Sequence, residues 1–277
     1  MIQDIAPHVY HNEYRPQRPS PDSIAMVFVD GKISVKVKDG EISFPKFGEL
    51  EEKYSFIYED YTYLFSIDED RYYLLQNVEL EEGELWGRKE LRYGNPQYLA
   101  FAGLTACQLY GWYKSHQYCG RCGKRMKHDE KERMLWCEEC HQMEYPKICP
   151  AVIVGITNGN HLLLSKYAGR EHAKYALIAG FTEIGETIEE TVHREVMEEV
   201  GLRVKNLTYY KSQPWSVSDS LLFGFYAEVD GSAEITLDEE ELALAEWFER
   251  EEIPVTEESN SLTNEMILNF KSGRYGR

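Results

Sequence analysis

The sequence has no apolar run long enough to cross a membrane. Its longest apolar stretches, near residues 99–107 and 151–156, fall far short of the roughly 18 residues that a transmembrane helix needs. The first residues, Met1-Ile2-Gln3-Asp4, also lack the basic and apolar regions of a signal peptide. We therefore expect a soluble, cytoplasmic protein with no membrane partner.

Basic residues are scarce, with 30 Lys and Arg against 48 Asp and Glu, for a formal net charge of −18. This deficit argues against a protein that grips a nucleic-acid backbone with its whole surface. The charge is uneven, since residues 114–147 hold eight basic and six acidic residues. A phosphate-bearing substrate stays compatible with an acidic chain, because bound divalent cations can reverse the local sign of charge.

The length and the apolar content predict several packed domains. The chain has 277 residues, is 43% hydrophobic and holds 11 Phe, 5 Trp and 20 Tyr, which excludes wholesale disorder. The hydrophobic pattern predicts a β-rich N-terminal domain over residues 1–94, a connecting helix over 95–116, a cysteine module over 117–146 and a mixed domain over 147–277. Helices and strands that alternate in this way favour an α/β or α+β fold.

The pattern also predicts individual elements. Period-two runs bounded by turn residues indicate strands, and a period near 3.6 indicates helices. The predicted strands are 24–29, 32–37, 54–59, 61–67, 72–77, 151–157, 161–165, 207–212 and 221–228. Beyond the connecting helix, the predicted helices are one that begins at Thr187, one near 239–249 and one near 262–270.

Four of the six cysteines form the pattern Cys119-x2-Cys122-x14-Cys137-x2-Cys140. Two matched pairs at this spacing supply the four thiolates that a tetrahedral Zn²⁺ prefers. Disulfides fit an expected cytoplasmic chain less well. Because the four cysteines would fill every ligand position, no position is left for water or substrate. We therefore expect one structural zinc per chain.

A helix with unusual carboxylates follows Thr187. Thr187 and Glu190 form a capping box, and Gly201 suits the helix end. One side of this helix is an apolar stripe formed by Ile188, Val192, Val196 and Val200. Three acids lie together along one edge of the stripe: Glu195, Glu198 and Glu199. Like charges at this spacing repel, and acids in an apolar stripe lose hydration. Divalent cations would resolve this conflict, and Mg²⁺ fits best.

Residues 180–202 match in full the signature of a known superfamily: Gly180-x5-Glu186-x7-Arg194-Glu195-Val196-x-Glu198-Glu199-x-Gly201-Leu202. This segment resembles the Nudix box of the Nudix hydrolases. The resemblance implies an α/β/α sandwich with a mixed sheet. It also implies Mg²⁺- or Mn²⁺-dependent hydrolysis of a nucleoside diphosphate linked to another group.

A second motif runs from Ser212 to Ser220 and begins Ser212-Gln213-Pro214-Trp215. It resembles the S-Q-P-W-P-F-P-x-S array of NADH pyrophosphatases within that superfamily. A four-cysteine zinc ribbon before the Nudix domain is also the arrangement of this family. The sequence departs from the array where Ser216, Val217 and Ser218 replace Pro, Phe and Pro.

The resemblance also implies roles for individual residues. For the Mg²⁺ or Mn²⁺ ligands it implies Glu195, Glu199, the Ala179 carbonyl and a distal acid, which we place at Glu241 with Glu240 as a competitor. Glu198 is implied as a metal-site residue that activates water, and we expect Arg194 to orient the carboxylates. The implied substrate contacts are Glu132, Tyr145, Phe181, Gln213, Ser220 and Thr263, with Tyr145 coming from the partner subunit of a homodimer.

The function implied is hydrolysis of the diphosphate bond of NADH or NAD⁺ to nicotinamide mononucleotide and AMP. An alternative is a Nudix hydrolase that prefers another dinucleotide or NAD-capped RNA, with the basic ribbon receiving the RNA. A third hypothesis, a non-catalytic regulator that senses a nucleotide, predicts eroded carboxylates, yet every glutamate of the box is present.

Overall fold

The computed structural model describes residues 1–78, 80, 83–169, 174–257 and 260–275, which divide into two units. The N-terminal unit contains residues 2–147 together with 216–218. The C-terminal unit contains residues 148–215 and 219–277, together with Met1. Among the described helices, none is both long enough and apolar enough to span a membrane.

A seven-stranded sheet dominates the N-terminal unit. Its strands are β1 (Tyr10–His11), β2 (Ile24–Val29), β3 (Lys32–Lys38), β4 (Glu41–Ser43), β5 (Tyr61–Ile67), β6 (Asp70–Leu75) and β7 (Glu84–Trp86). The strand order is β1-β5-β6-β2-β3-β4, and β7 pairs with β3. All pairs are antiparallel except β2 with β6. The predicted β-rich character of this region is therefore confirmed.

Local turn chemistry explains where the strands of this sheet meet. β2 and β3 join through Asp30 and Gly31, whose φ angles of 48° and 81° match the primed turn that twists with a hairpin. The predicted strand at 54–59 is wrong, because Ser55–Tyr58 form a 3₁₀ helix. Ile57 of this helix is fully buried among aromatic side chains. Tertiary packing of Ile57 therefore determines the conformation of the segment, and its local strand propensity does not.

Helix α3 (Gln97–Ser115) packs on one face of this sheet and confirms that a helix forms here, while its role as a connector between domains stays a prediction. Two short helices, α1 (Phe47–Leu50) and α2 (Arg88–Leu91), precede it. Three short strands follow α3 and form an antiparallel sheet: β8 (Lys127–His128), β9 (Leu135–Trp136) and β10 (Met143–Glu144). Leu135 of this small sheet and Met126, which directly precedes β8, are buried in the same core as α3.

The C-terminal unit is built on a six-stranded mixed sheet. Its strands are β11 (Cys149–Asn158), β12 (His161–Tyr167), β13 (Ile178–Phe181), β14 (Val204–Trp215), β15 (Ser220–Val229) and β16 (Leu242–Glu249). The order is β14-β15-β11-β12-β16, and β13 pairs with β11. The central pair, β11 and β15, is parallel, and the other pairs are antiparallel.

Helices cover both faces of this sheet. Val152 and Val154 of β11 pack with α4 (Ile188–Val200), whereas Ile153 packs with α5 (Leu262–Lys271). Alternate residues of one strand thus enter opposite cores, as the pleat requires. The expected α/β/α sandwich is confirmed.

The predicted helix near 239–249 is wrong. Leu242–Glu249 form the edge strand β16, which pairs with β12, and a short 3₁₀ helix follows at Arg250–Glu252. Its Leu, Ala and Glu residues favour a helix by intrinsic propensity. The strand conformation instead sends Trp247 to the core under α4 and Phe248 to the core under α5. Burial on both faces outweighs the propensity.

Candidate metal centre and active site

The four cysteines of the ribbon converge on one point. Their Sγ atoms all lie within 4.8 Å of one another, with Cys119 3.5 Å from Cys140 and Cys122 3.4 Å from Cys137. Tetrahedral zinc with bonds of about 2.3 Å places its sulfur atoms about 3.8 Å apart. The cluster therefore fits a structural Zn²⁺ held entirely by protein.

Two equivalent turns place these sulfur atoms. The Cys119 carbonyl accepts a hydrogen bond from Gly123 N–H, and the Cys137 carbonyl accepts one from His141 N–H, both at 2.8 Å. Gly123 and His141 both have positive φ, of 72° and 58°. The glycine was visible in the sequence as a turn residue, whereas the second knuckle reaches the same conformation with a histidine.

Helix α4 begins and ends where the sequence predicts. The Thr187 side chain accepts a hydrogen bond from Glu190 N–H, and the Glu190 carboxylate accepts one from Thr187 N–H at 2.7 Å. Gly201 ends the helix in the left-handed region at φ 67°. The stripe residues Val192, Val196 and Val200 are fully buried, so the orientation of the helix is set by its apolar face.

Strand β13 runs against the acidic edge of α4. Gly180 on this strand pairs with Val152, and a β-carbon at position 180 would fall inside the carboxylate of Glu195. Only glycine lets the carboxylate approach the strand this closely. Glu195 is 8% exposed, and burial raises its pKa while Arg194 acts in the opposite direction.

Glu199 is the most deeply buried acid of the helix, at 2% exposure. Within the described part of the chain, neither of its carboxylate oxygens makes a hydrogen bond of standard geometry, although the Ala179 backbone N–H lies close enough to act on its charge. Burial, together with the charges of Glu195 and Glu241, raises the pKa of Glu199 to about 8, and the adjacent backbone of Ala179 partly offsets the rise. A buried carboxylate without partners is costly for a fold unless a cation binds there.

The loop before β16 carries the fourth acid to this place. Asp238 N–H donates to the Glu199 carbonyl at 3.0 Å, and Ala168 N–H donates to the Glu241 carbonyl at 2.9 Å. The Glu241 charge is among the largest influences that raise the pKa of both Glu195 and Glu199. This proximity favours Glu241 over Glu240 as the distal acid.

Arg194 organises the carboxylates around it. Its five N–H groups donate to Glu186 twice (2.6 and 2.9 Å), Glu195 (2.7 Å), Glu198 (2.9 Å) and the Phe181 carbonyl (2.9 Å). A guanidinium has five donors in a rigid fork, so every one is used. The helical spacing predicts that Arg194 pairs with Glu198 or Glu190, or folds back to Glu186. The pairs with Glu186 and Glu198 form, whereas the Glu190 carboxylate accepts from Thr187 N–H at the helix start. Glu198 keeps an exposed side chain and faces solvent beside the buried acids.

Comparison with known families agrees with this geometry. Residues 147–269 match the NUDIX domain, and residues 114–145 match the NADH pyrophosphatase zinc ribbon domain. The chain carries a Nudix domain preceded by that zinc ribbon. The carboxylate helix α4 and the strand β13 lie inside the Nudix match, and all four clustered cysteines lie inside the ribbon match.

Curated relatives match more than half of the chain. The chain is 42% identical over 160 residues to the NAD-capped RNA hydrolase NudC of Photorhabdus laumondii, covering 58% of this chain and 62% of the relative. It is 44% identical over 154 residues to the protein of the same name from Mannheimia succiniciproducens, covering 52% and 57%. The chain thus spans less than two thirds of these relatives. A Nudix hydrolase structure from Nitrosomonas europaea is 22% identical, with a TM-score of 0.49, and the match covers 58% of this chain and 94% of that one.

The Nudix domain holds four of the predicted substrate residues. Phe181 ends β13 with 52% of its surface exposed, directly after Gly180. Thr263 is the second residue of α5 and is partly buried. Ser220, the first residue of β15, is buried and pairs with Trp215. A contact of these residues with substrate stays a prediction.

Gln213, the fourth of these residues, makes hydrogen bonds inside the Nudix domain. Its side chain is fully buried, its Nε2 donates to the Asn260 carbonyl at 3.1 Å, and its Oε1 accepts from Leu262 N–H at 2.8 Å. In this conformation the amide braces the start of α5, and a contact of Gln213 with substrate stays a prediction. The physical reason is that the first N–H groups of a helix need acceptors, and Gln213 supplies one.

Glu132 and Tyr145 lie in the zinc ribbon of the N-terminal unit. Tyr145 is 52% exposed, and its hydroxyl donates to Glu132 at 2.8 Å. This hydrogen bond to a carboxylate raises the pKa of Tyr145. The two predicted substrate residues are therefore brought together, on an exposed part of the ribbon.

Sequence reasoning missed two residues that touch these sites. Thr191 is fully buried and donates to Glu186 at 3.0 Å, and Arg88 donates to the Val217 carbonyl at 3.3 Å within the N-terminal unit. The sequence did hold a signal for Thr191. Viewed down the helix axis, Thr191 lies at an angle between those of Glu195 and Glu198, one turn before Glu195. Arg88 had no local signal, because its partner lies 129 residues away.

Proposed function

We propose that this protein hydrolyses the diphosphate bond of an NAD-type dinucleotide, NADH or NAD⁺, to nicotinamide mononucleotide and AMP. The observation that carries the proposal is the buried carboxylate of Glu199, which makes no hydrogen bond of standard geometry among the described residues and lies beside Glu195 and Glu241. Hydrolysis of a phosphoanhydride needs cations at such a place, because negative charge develops on the phosphate oxygens.

The donor set fits Mg²⁺ or Mn²⁺. Carboxylates and a backbone carbonyl are the oxygen ligands that these ions prefer, with substrate phosphates completing the coordination. Glu195, Glu199, Glu241 and the Ala179 carbonyl would hold the metal, with Glu198 at the exposed edge. Bound there, the cation neutralises developing charge and lowers the pKa of a bound water.

The chain's own residues supply position and a proton acceptor. Glu198 is the accessible carboxylate of the group and would accept a proton from the attacking water. Arg194 holds Glu198 and Glu195 in fixed orientation through its Nη1 donors. Phe181 presents an exposed ring next to these acids, where a base of the dinucleotide can stack.

NAD-capped RNA is the second candidate substrate, and two observations favour it. The relatives above carry the name NAD-capped RNA hydrolase. The first zinc knuckle is also basic: residues 118–128 contain Arg121, Lys124, Arg125 and Lys127 and no acidic residue. Clustered basic side chains attract RNA phosphates even on a chain of net negative charge.

Hydrolysis assays test the two substrates together. Purified protein is incubated with NADH, NAD⁺, ADP-ribose and an NAD-capped RNA, each with Mg²⁺, with Mn²⁺ and with EDTA. We expect metal-dependent release of nicotinamide mononucleotide from NADH or NAD⁺. Cleavage of the capped RNA alone would move the assignment to the second candidate. Nucleotide binding without any turnover would support a non-catalytic sensor and contradict both.

We further propose a homodimer in which Tyr145 of one subunit completes the site of the other. An exposed tyrosine paired with a single carboxylate supports this proposal, because it leaves a face of the ring open to a partner. Light scattering during size-exclusion chromatography measures the mass. A monomer of 32.3 kDa at assay concentration would contradict the dimer.

A further inference from the structure

Thr191 lies at the base of the hydrogen-bond network around Arg194. It is fully buried in α4, and its Oγ1 donates to Glu186 Oε2 at 3.0 Å. The same hydroxyl is 3.1 Å from the Thr187 carbonyl, the usual back-bond of a helical threonine. A hydroxyl has one proton, so the two acceptors compete for it.

The carboxylate is the stronger acceptor of the two. Hydrogen bonds from Arg194 hold the pKa of Glu186 down at about 2, so Glu186 is ionised at neutral pH. Hydrogen bonds to ionised groups are roughly twice as strong as neutral ones. The Thr187 carbonyl moreover already accepts the Thr191 backbone N–H at 3.0 Å. The Thr191 hydroxyl therefore donates its hydrogen bond to Glu186.

Glu186 is held from three directions. Glu183 N–H donates to its Oε2 at 3.0 Å from the loop, Thr191 donates from the buried face of the helix, and Arg194 binds both oxygens in a forked pair. The fork fixes the plane of the guanidinium. That plane in turn decides where the Nη1 donors meet Glu195 and Glu198.

We infer that Thr191 is a positioning residue, which acts through Glu186 and Arg194 to orient Glu195 and Glu198. The kinetic test of this inference rests on the proposed function, whereas the metal-binding test does not depend on it. Outer ligand partners of this kind usually change metal affinity or activity by 10–100-fold when removed.

The test compares two substitutions at the same position. Thr191→Val keeps the shape and removes the hydroxyl, and Thr191→Ser keeps the hydroxyl and removes a methyl group. We expect Thr191→Val to weaken Mn²⁺ binding, measured by electron paramagnetic resonance without substrate, by about tenfold and to lower kcat by a similar factor. KM should stay within about twofold, and Thr191→Ser should restore both quantities.

A buried hydroxyl elsewhere provides the control for stability. Thr157 of β11 is buried and donates to the Ala227 carbonyl at 3.2 Å, so Thr157→Val removes a comparable bond from the sheet of the same unit. It should change the melting temperature as Thr191→Val does and leave Mn²⁺ affinity unchanged. Thr191→Ala replaces the valine variant if that variant does not fold.

A double-mutant cycle decides the route. Since Thr191 acts through Glu186, the effects of Thr191→Val and Glu186→Gln on Mn²⁺ affinity should not add. Additive effects, or a valine variant that binds Mn²⁺ as the wild type does, would overturn the inference. If the wild type hydrolyses no dinucleotide, the proposed function fails, while the Mn²⁺ titrations still decide the role of Thr191.

Discussion

The carboxylate of Glu195 occupies the space into which any β-carbon at position 180 would project, so Gly180 and Glu195 are in direct contact across strand and helix. This contact explains why the motif begins with a glycine, Gly180, although the glutamate that it contacts lies 15 residues later in the sequence. The close approach brings the acids of α4 beside the backbone of β13, where the Ala179 carbonyl lies.

Gly180→Ala should therefore displace Glu195 and slow hydrolysis. A shift of about 1 Å in a catalytic group can cost on the order of 100-fold, and we expect a loss of kcat of that size. Steady-state kinetics on NADH measures it. Gly120→Ala is the control, because a β-carbon there meets nothing within 4 Å. Unchanged turnover in Gly180→Ala would show that Glu195 can move without consequence.

Glu198→Gln should abolish most of the activity and leave folding intact. The side chain is 57% exposed, so neutralising it removes a proton acceptor without opening the core. General-base residues typically contribute 100-fold to 10,000-fold, and kcat should fall within that range. Glu189→Gln, an exposed acid in the first turn of the same helix, should keep wild-type kinetics. Near-wild-type turnover in Glu198→Gln would assign the base elsewhere.

Native protein should contain about one Zn²⁺ per chain, and Cys122→Ser should lose it. Because the metal holds both knuckles together, the melting temperature should fall by at least ~5 °C. Elemental analysis and calorimetry measure the two effects. Cys149→Ser changes a cysteine outside the cluster and should retain the zinc. Native protein without zinc would contradict the structural role.

Gln213→Met should raise KM and lower stability together. The substitution keeps the volume but leaves the Asn260 carbonyl and Leu262 N–H without the amide that now bonds to them, at a cost of about 1–3 kcal/mol. Thr263 follows directly, so its predicted substrate contact should loosen. Denaturant unfolding and kinetics provide the readouts, with exposed Gln117→Met as control. An increased KM at unchanged stability would instead indicate direct contact with substrate.

Replacing Ser216, Val217 and Ser218 by Pro, Phe and Pro should lower KM for NADH. Prolines reduce the entropy cost of ordering the segment, and Phe offers a flat apolar surface. Contacts made equally in ground and transition states change KM and leave kcat alone. The triple alanine variant controls for loss of the native side chains. A KM that does not fall would show that these positions do not grip the dinucleotide.

Local sequence patterns predicted those parts of the molecule whose causes lie within a few residues. The capping box at Thr187, the left-handed Gly201 and the turn at Asp30 and Gly31 follow from backbone chemistry alone. The cysteine spacing likewise predicted a cluster that does form. The division into four domains and the roles of individual site residues stay predictions.

Local sequence propensity predicted the wrong secondary structure in two segments, where burial of side chains outweighed it. The segment near 239–249 is predicted as a helix, yet Leu242–Glu249 form an edge strand, because only a strand sends Trp247 and Phe248 into opposite cores. Residues 54–59 read as a strand, and Ser55–Tyr58 turn into a 3₁₀ helix around the buried Ile57. In both segments the deciding contacts come from residues distant in sequence.

By itself, the sequence determined the Nudix box helix and the cysteine cluster of the zinc ribbon, because spacing on one helix or one turn places those side chains. Only the tertiary structure decided that Glu241 approaches Glu199, that Gln213 braces Leu262, and that Thr191 supports Glu186. These relationships depend on how strands and loops pack around α4. Packing brings together residues whose separation along the chain carries no local signal.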